Sequence, residues 1–151
     1  MRKDIPKILV TGGAGFIGSA FARLTAKKGY KIIIVDKLTY AGDLARLQEI
    51  KGKYKFYKVD ICHKAQIERI LKKERPEIII NFSAETHVDR SIKEATPFID
   101  TNIKGTLILL DASRRNNIKR LIHISTDEIY GEIKKGRFTE DARLMPNSPY
   151  A

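Results

Sequence analysis

The sequence predicts an α/β domain built on a doubly wound parallel sheet. Five short runs rich in β-branched residues alternate with stretches of helical periodicity. Two of those runs are apolar at consecutive positions, as strands are when both faces of a sheet are covered. A glycine-rich turn separates the first run from the first helical stretch.

The first run is "KILVT" at 7–11, which leads into "VTGGAGFIGSA". "KIIIVD" at 31–36 and "EIIINFS" at 77–83 are the continuous apolar runs and are expected inside the sheet. "YKFYKVD" at 54–60 and "RLIHIS" at 120–125 complete the set. Between the last two strands, Phe98, Ile99, Ile103, Leu107, Leu110 and Ala112 recur at spacings near three to four after Pro97, which predicts a helix opened by that proline. No repeat, low-complexity tract or linker interrupts the pattern, so residues 1–151 are read as one domain, ending in the turn-forming cluster "MPNSPYA".

The chain carries 29 Lys and Arg against 18 Asp and Glu, a net charge of +11. The basic residues are scattered among "AKKGYK", "KGKYKFYK", "LKKERP", "RRNNIKR" and "IKKGR", mostly at predicted helix ends and turns. That is a solvated basic surface, and nucleic acid is not the expected partner. Cys62 stands alone, so no internal disulfide or multi-cysteine metal site is possible and a reducing compartment fits. No apolar run approaches the roughly 20 residues that cross a bilayer, and "MRKDIPK" lacks the apolar segment of a secretory signal. The expectation is a soluble, cytoplasmic protein with no membrane partner.

Gly13, Gly15 and Gly18 form GxGxxG, overlapping the wider set Gly12, Gly15 and Gly18. Glycines are needed where the turn is tight, where backbone approaches a pyrophosphate, and where helix packs closely on strand. The amides near Phe16 and Ile17 then face phosphate from a helix N-terminus. Asp36 follows Gly18 by about 18 residues at the end of the second strand, within range for a carboxylate that bonds adenosine ribose hydroxyls. Together these features predict dinucleotide binding. Asp36 repels the extra phosphate of NADP and favours NAD, while the neighbouring Lys37 weighs the other way. Asp60 has two readings, acceptor of the adenine amino group or N-cap of a helix beginning near Lys64. The lysine-bearing GxxxxGK[ST] spacing of a phosphate-loop NTPase is absent.

In an open parallel sheet, ligands bind beyond the carboxyl ends of the strands, so "TGGAGFIG", "SAETHVDRS" and "STDEIYG" should converge on one cleft. Thr126, Asp127 and Glu128 would then lie over the nicotinamide end. Two carboxylates there can divide acid and base work, or one can cap a turn while the other faces solvent. His87, Asp89 and Glu85 lack the ligand set of a closed zinc site, and no metal is expected.

The segments "TGGAGFIGS", "VDKLTYAGDL", "NFSAETHVDRSI", "FIDTNIKGTLILLDA", "HISTDEIYGE" and "PNSPYA" resemble the extended short-chain dehydrogenase/reductases, from about residue 7 onward. Within them, "AETHVDRS" and "STDEIYG" are similar to the dTDP-glucose 4,6-dehydratases. The resemblance implies a Rossmann-like fold and NAD-dependent conversion of dTDP-glucose to dTDP-4-keto-6-deoxyglucose. It assigns Tyr150 to deprotonate the 4-hydroxyl, Thr126 to orient that hydroxyl, Glu128 to remove the C5 proton and Asp127 to protonate the departing C6 hydroxyl. Beside Gly12, Gly15 and Gly18 of the glycine loop, it implies NAD contacts at Phe16, Ile17, Asp36, Lys37, Thr39, Asp60, Ile61, Ala84, Glu85 and Thr101, and a sugar contact at Thr86. A nucleotide sugar and a second subunit are the implied partners, the latter for the family's complete enzyme.

In the family the tyrosine belongs to YxxxK, and this chain stops at Ala151, before that lysine. The expectation is that residues 1–151 correspond to roughly the first half of such an enzyme, without its last strands and smaller substrate domain, and turn over little alone. The competing readings are a non-catalytic NAD-binding module and a dehydratase or epimerase acting on another nucleotide sugar.

Overall fold

A computed structural model describes residues 5–151; Met1 to Asp4, the first residues of the expected domain and of the stretch "MRKDIPK", lie outside the described part. Five strands, β1 (Lys7–Thr11), β2 (Lys31–Asp36), β3 (Tyr54–Lys58), β4 (Ile78–Asn81) and β5 (Arg120–His123), form one sheet in the order β3-β2-β1-β4-β5. Every pairing is parallel. Beginning at β1, the chain builds outward through β2 and β3, then crosses to the other side of β1 for β4 and β5. The reversal between β1 and β4 opens a crevice at the carboxyl ends of those two strands.

The continuous apolar runs are explained by two cores. Ile8, Val10, Ile32, Ile34 and Ile80 face one way, against Ala22 and Ala26 of α1 (Phe16–Lys27) and Leu47 and Ile50 of a 3-10 helix, Leu44–Ile50. Leu9, Ile33, Val35 and Ile79 face the other way, against Ile67, Ile70 and Leu71 of α2 (Lys64–Glu74) and Leu109 and Ala112 of α5 (Thr106–Arg115). Strand side chains alternate between faces, so a strand covered on both sides must be apolar throughout. Each such side chain contributes about 2 kcal/mol by leaving water.

The helices end where local chemistry stops them. After α1, Gly29 adopts φ +86°, and the amides of Gly29 and Tyr30 return to the carbonyls of Ala26 and Thr25 in a Schellman closure. At the end of α2, Arg75 turns left-handed and Pro76 forbids continuation. Two short helices follow β4: α3 (Val88–Lys93) and α4 (Thr96–Phe98), the latter with Pro97 in its first turn as expected. The chain from α4 to α5 passes through a π-helical stretch, Ile99–Gly105, in place of the regular helix that the apolar spacing predicts. Among the described residues, no helix is long and apolar enough to cross a membrane.

One buried carboxylate ties the far end of the sheet together. Glu74, 2% exposed, accepts from the Tyr57 hydroxyl at 2.6 Å and from Lys55 Nζ at 2.9 Å, while Lys7 Nζ donates to the Glu74 carbonyl. The Tyr57 bond, aided by Lys55, holds the Glu74 carboxyl below its usual range against the opposing effect of burial. The same bond and burial push the Tyr57 phenol up to about 12. Because the Glu74 value is lowered on folding, its stabilisation is complete above the unfolded carboxyl value of about 4.3 and is lost as pH falls through the folded one. Because the Tyr57 value is raised, its contribution is complete below about pH 10 and disappears as pH climbs through about 12. Glu74→Gln is expected to cost about 2 kcal/mol at neutral pH. The cost should shrink in acid, as urea unfolding at several pH values would show.

Candidate active site

The crevice is built by the segments that follow β1, β4 and β5. Gly12 opens the first with φ +65°, and its amide bonds the Val35 carbonyl at 2.9 Å. A Cβ on Gly12 would lie 2.7 Å from the backbone of Phe82 and Ser83, so this glycine lets the loops after β1 and β4 meet. A Cβ on Gly18 would fall 2.2 Å from the Gly12 carbonyl oxygen, so helix α1 can approach the turn only with glycine there. Gly15 is the N-cap, and no side chain caps the helix. The first amides of α1 therefore face the crevice with their hydrogens and the positive helix end available to an anion.

Asp36 anchors the other side of the turn. It is buried, its Oδ2 accepting from the Ala14 amide at 2.9 Å and its Oδ1 from the Leu38 amide at 2.8 Å. The carboxylate is thus fixed in orientation by the glycine loop itself. Next to it, Lys37 Nζ lies 3.5 Å from Asp60 Oδ2 and 3.5 Å from Glu85 Oε1, and donates to Thr101 Oγ1 at 3.3 Å. Asp60 also accepts from the Cys62 amide at 2.9 Å. Burial pushes the Asp60 carboxyl upward, but the Cys62 bonds and the Lys37 ammonium outweigh it and leave the group below its ordinary value. The N-cap reading of Asp60 is overturned: helix α2 does begin at Lys64, but its N-cap is His63. Asp60 instead closes a tight turn onto Cys62. Burial and Asp60 push the Cys62 thiol to about 11, so it stays protonated at neutral pH and is no nucleophile.

Two contiguous cavities result. The smaller, about 80 Å³, is lined by Asp36, Lys37, Thr39, Asp60, Ile61, Glu85 and Thr101. The larger, about 790 Å³, is lined by Phe16, Ile17, Gly18, Thr86, Thr126 and Tyr150 among others. Gly12, Gly15 and Ala84 belong to both, so the glycine turn is the bridge between them. Asp127 and Glu128 do not line either cavity. They are exposed on a 3-10 turn, Asp127–Tyr130, at the rim beside Thr126. The turn is capped by Thr126, whose Oγ1 accepts from the Glu128 amide at 3.2 Å, so neither carboxylate serves as its N-cap. Tyr150 is held in place by its amide bond to Ser91 Oγ at 3.2 Å and by edge contact with Phe98.

Segments following β1, β4 and β5 thus converge on one groove, as the strand order requires. The family model described as GDP-mannose 4,6 dehydratase matches residues 9–151. The chain belongs to the GDP-mannose 4,6 dehydratase family.

Within this family's neighbourhood, the chain is 44% identical to a dTDP-glucose 4,6-dehydratase of Streptomyces niveus, over 96% of this chain and 45% of that protein. It superposes on DesIV, a dTDP-glucose 4,6-dehydratase from Streptomyces venezuelae crystallised as a double mutant with NAD, with a TM-score of 0.89 and 41% identity. That match covers 95% of this chain and 47% of DesIV. The UDP-glucose 4-epimerase of Thermotoga maritima, crystallised with UDP-glucose, gives a TM-score of 0.87 at 38% identity, covering 95% of this chain and 46% of the epimerase. The chain spans about half the length of the curated relatives it matches.

Two residues that brace the site belong to no motif. Asn102, in the π-helical stretch, accepts from the Glu85 amide and donates to the Glu85 carbonyl, both at 2.9 Å. This two-point clamp fixes the loop after β4. Arg46 reaches across to the carbonyls of Ala14 and Ala41 at 3.1 and 2.7 Å and braces the glycine turn. Neither announces itself in sequence, because the Ala14 and Glu85 backbone groups they reach lie far along the chain.

Proposed function

We propose that the chain holds NAD along the two cavities and contributes the reacting groups of a nucleotide-sugar 4,6-dehydratase, with dTDP-glucose converted to dTDP-4-keto-6-deoxyglucose. The observation that carries this reading is the placement of Asp36 at one end of a continuous groove and Thr126 and Tyr150 at the other, with the uncapped start of α1 between them. The donor set fits a dinucleotide. A fixed carboxylate suits ribose hydroxyls, glycines leave no Cβ to obstruct a pyrophosphate, and helix amides supply donors for it.

NAD, when bound, supplies reversible hydride transfer, from C4 of the sugar and later to C6. The remaining work belongs to side chains of this chain. Thr126 Oγ1 holds the 4-hydroxyl, and Tyr150 removes its proton. A ketone at C4 acidifies the C5 proton, which Glu128 removes as base. Asp127, as the carboxylic acid, gives a proton to the departing C6 hydroxyl, so water leaves; Glu128 then returns its proton to C5 as C6 takes up hydride, and the proton taken by Tyr150 makes good the one Asp127 gave. Their place at the rim requires the sugar to cover them, which would exclude water from the reacting bonds. The Asp-Glu pair favours dehydration over epimerisation, because turning a keto sugar over requires no acid and base for loss of water.

Two experiments test the reading. Calorimetric titration of the chain with NAD is expected to give saturable heat, with a raised unfolding temperature. A flat titration without thermal protection would overturn dinucleotide binding. Residues 1–151 grafted onto the carboxyl-terminal half of the Streptomyces niveus relative should form a 4-keto-6-deoxy sugar from dTDP-glucose. A folded, NAD-binding graft that releases no such product would overturn the dehydratase assignment.

A further inference from the structure

We propose that Asp60 and Glu85 help to set the choice between NAD and NADP by keeping the Lys37 ammonium away from the ribose 2′ position. The inference rests on the dinucleotide reading above and adds a specificity device to it. Asp36 carries the negative charge expected where ribose hydroxyls bind, and two backbone amides fix it there. The next residue is a lysine with a long, flexible stem. Free to turn, its ammonium would lie within reach of a 2′-phosphate and offset the repulsion from Asp36.

The structure commits that ammonium elsewhere. It sits 3.5 Å from each of two carboxylates and donates to the Thr101 hydroxyl at 3.3 Å. The three partners come from the loop after β3, the loop after β4 and the π-helical stretch, so the lysine is surrounded instead of leaning on one neighbour. The Glu85 side chain is 18% exposed, and Asn102 clamps its backbone at both amide and carbonyl, which holds the stem of that carboxylate beside Lys37. Among the described residues, Lys37 is the only ion-pair partner of either Asp60 or Glu85.

Turning Lys37 outward would leave those two partly buried carboxylates without a cation. A bound 2′-phosphate must therefore meet Asp36 unaided, or draw Lys37 away at the expense of two ion pairs. Both routes penalise NADP. Partial burial keeps these pairs less screened by salt than surface pairs are.

The test is equilibrium binding of ADP and of 2′-phospho-ADP to the chain, which probes the adenosine end alone. The wild type is expected to favour ADP by about a hundredfold. Glu85→Gln, Asp60→Asn and the double variant should each narrow that ratio, the double variant by about tenfold, an effect of about 1.4 kcal/mol. Adding Lys37→Met to the double variant should restore the wild-type ratio, because the gain acts through the lysine. The two single variants report the same ratio if the double variant does not fold. An unchanged ratio, or a gain that persists without Lys37, overturns the proposal while leaving dinucleotide binding intact. A wild-type chain that binds neither nucleotide overturns the dinucleotide reading, and this proposal with it.

Discussion

Gly18→Ala is expected to destabilise the chain by about 3 kcal/mol and to abolish its affinity for NAD. The added Cβ would sit 2.2 Å from the Gly12 carbonyl oxygen, 3.0 Å from its carbon and 3.1 Å from Gly13 Cα. All three neighbours are backbone, so no side chain can rotate aside. Either α1 moves away from β1 or the turn distorts. The first opens the core that Ala22 and Ala26 share with Val10 and Ile34, and the second misdirects the amides that would meet the pyrophosphate. Gly52→Ala provides a contrast. Unlike Gly18, that glycine has a positive φ, +82°, but its Cβ meets nothing within 4 Å, so the cost is local backbone strain and NAD affinity should survive. Urea unfolding and NAD titration of both variants check the pair. A Gly18→Ala chain with wild-type stability and affinity would show that the helix is free to retreat and that close packing here is not needed.

Much of this architecture was legible because it depends on burial. β2 matches its apolar run end to end, and β1 likewise, both lying inside the sheet. The three other strands stop short of their apolar runs. The last paired row joins Thr11 to Asn81 and Asn81 to His123; the Phe82 and Ile124 amides each add one more bond, to the Thr11 and Asn81 carbonyls at 3.0 Å, and Ser83 and Ser125 lie beyond the ladder. Phe82 remains apolar because it packs on Phe21, ring centroids 5.4 Å apart, and such a residue has the same pattern as one in a strand.

The site was legible in a different sense. Glycine spacing and the acid that ends β2 require a particular local geometry, so they could be read from the chain alone; Gly12, Gly15, Gly18 and Asp36 line the groove, while Gly13 packs on Ile34. Features that depend on distant partners were not. The π-helical turn places Thr101 against Lys37 and Asn102 against Glu85, yet in sequence it looks like an ordinary amphipathic helix. The capping of the Asp127–Tyr130 turn likewise depends on which neighbour reaches the Glu128 amide, and the threonine does. That outcome leaves the Glu128 carboxylate without a capping task, while Asp127 Oδ1 accepts only a long bond, 3.5 Å, from the Thr126 hydroxyl.

In the grafted enzyme, Glu128→Gln is expected to lower dehydration of dTDP-glucose by about a thousandfold while leaving oxidation at C4 intact. Glutamine keeps the shape and the capped backbone of the turn, since the bond to Thr126 uses the residue 128 amide and not its side chain. Only the base is lost. Reduced nicotinamide should then accumulate in a single turnover, and no solvent deuterium should enter the sugar at C5. Asp127→Asn separates the second role. Proton removal at C5 would continue, so deuterium should wash in, but the C6 hydroxyl would lack its acid and product would form slowly. Tyr150→Phe should block both, because its proton transfer comes first. Equal loss of C4 oxidation in all three variants would mean that the two carboxylates position the sugar instead of dividing the elimination, and the proposed chemistry at the rim would fail.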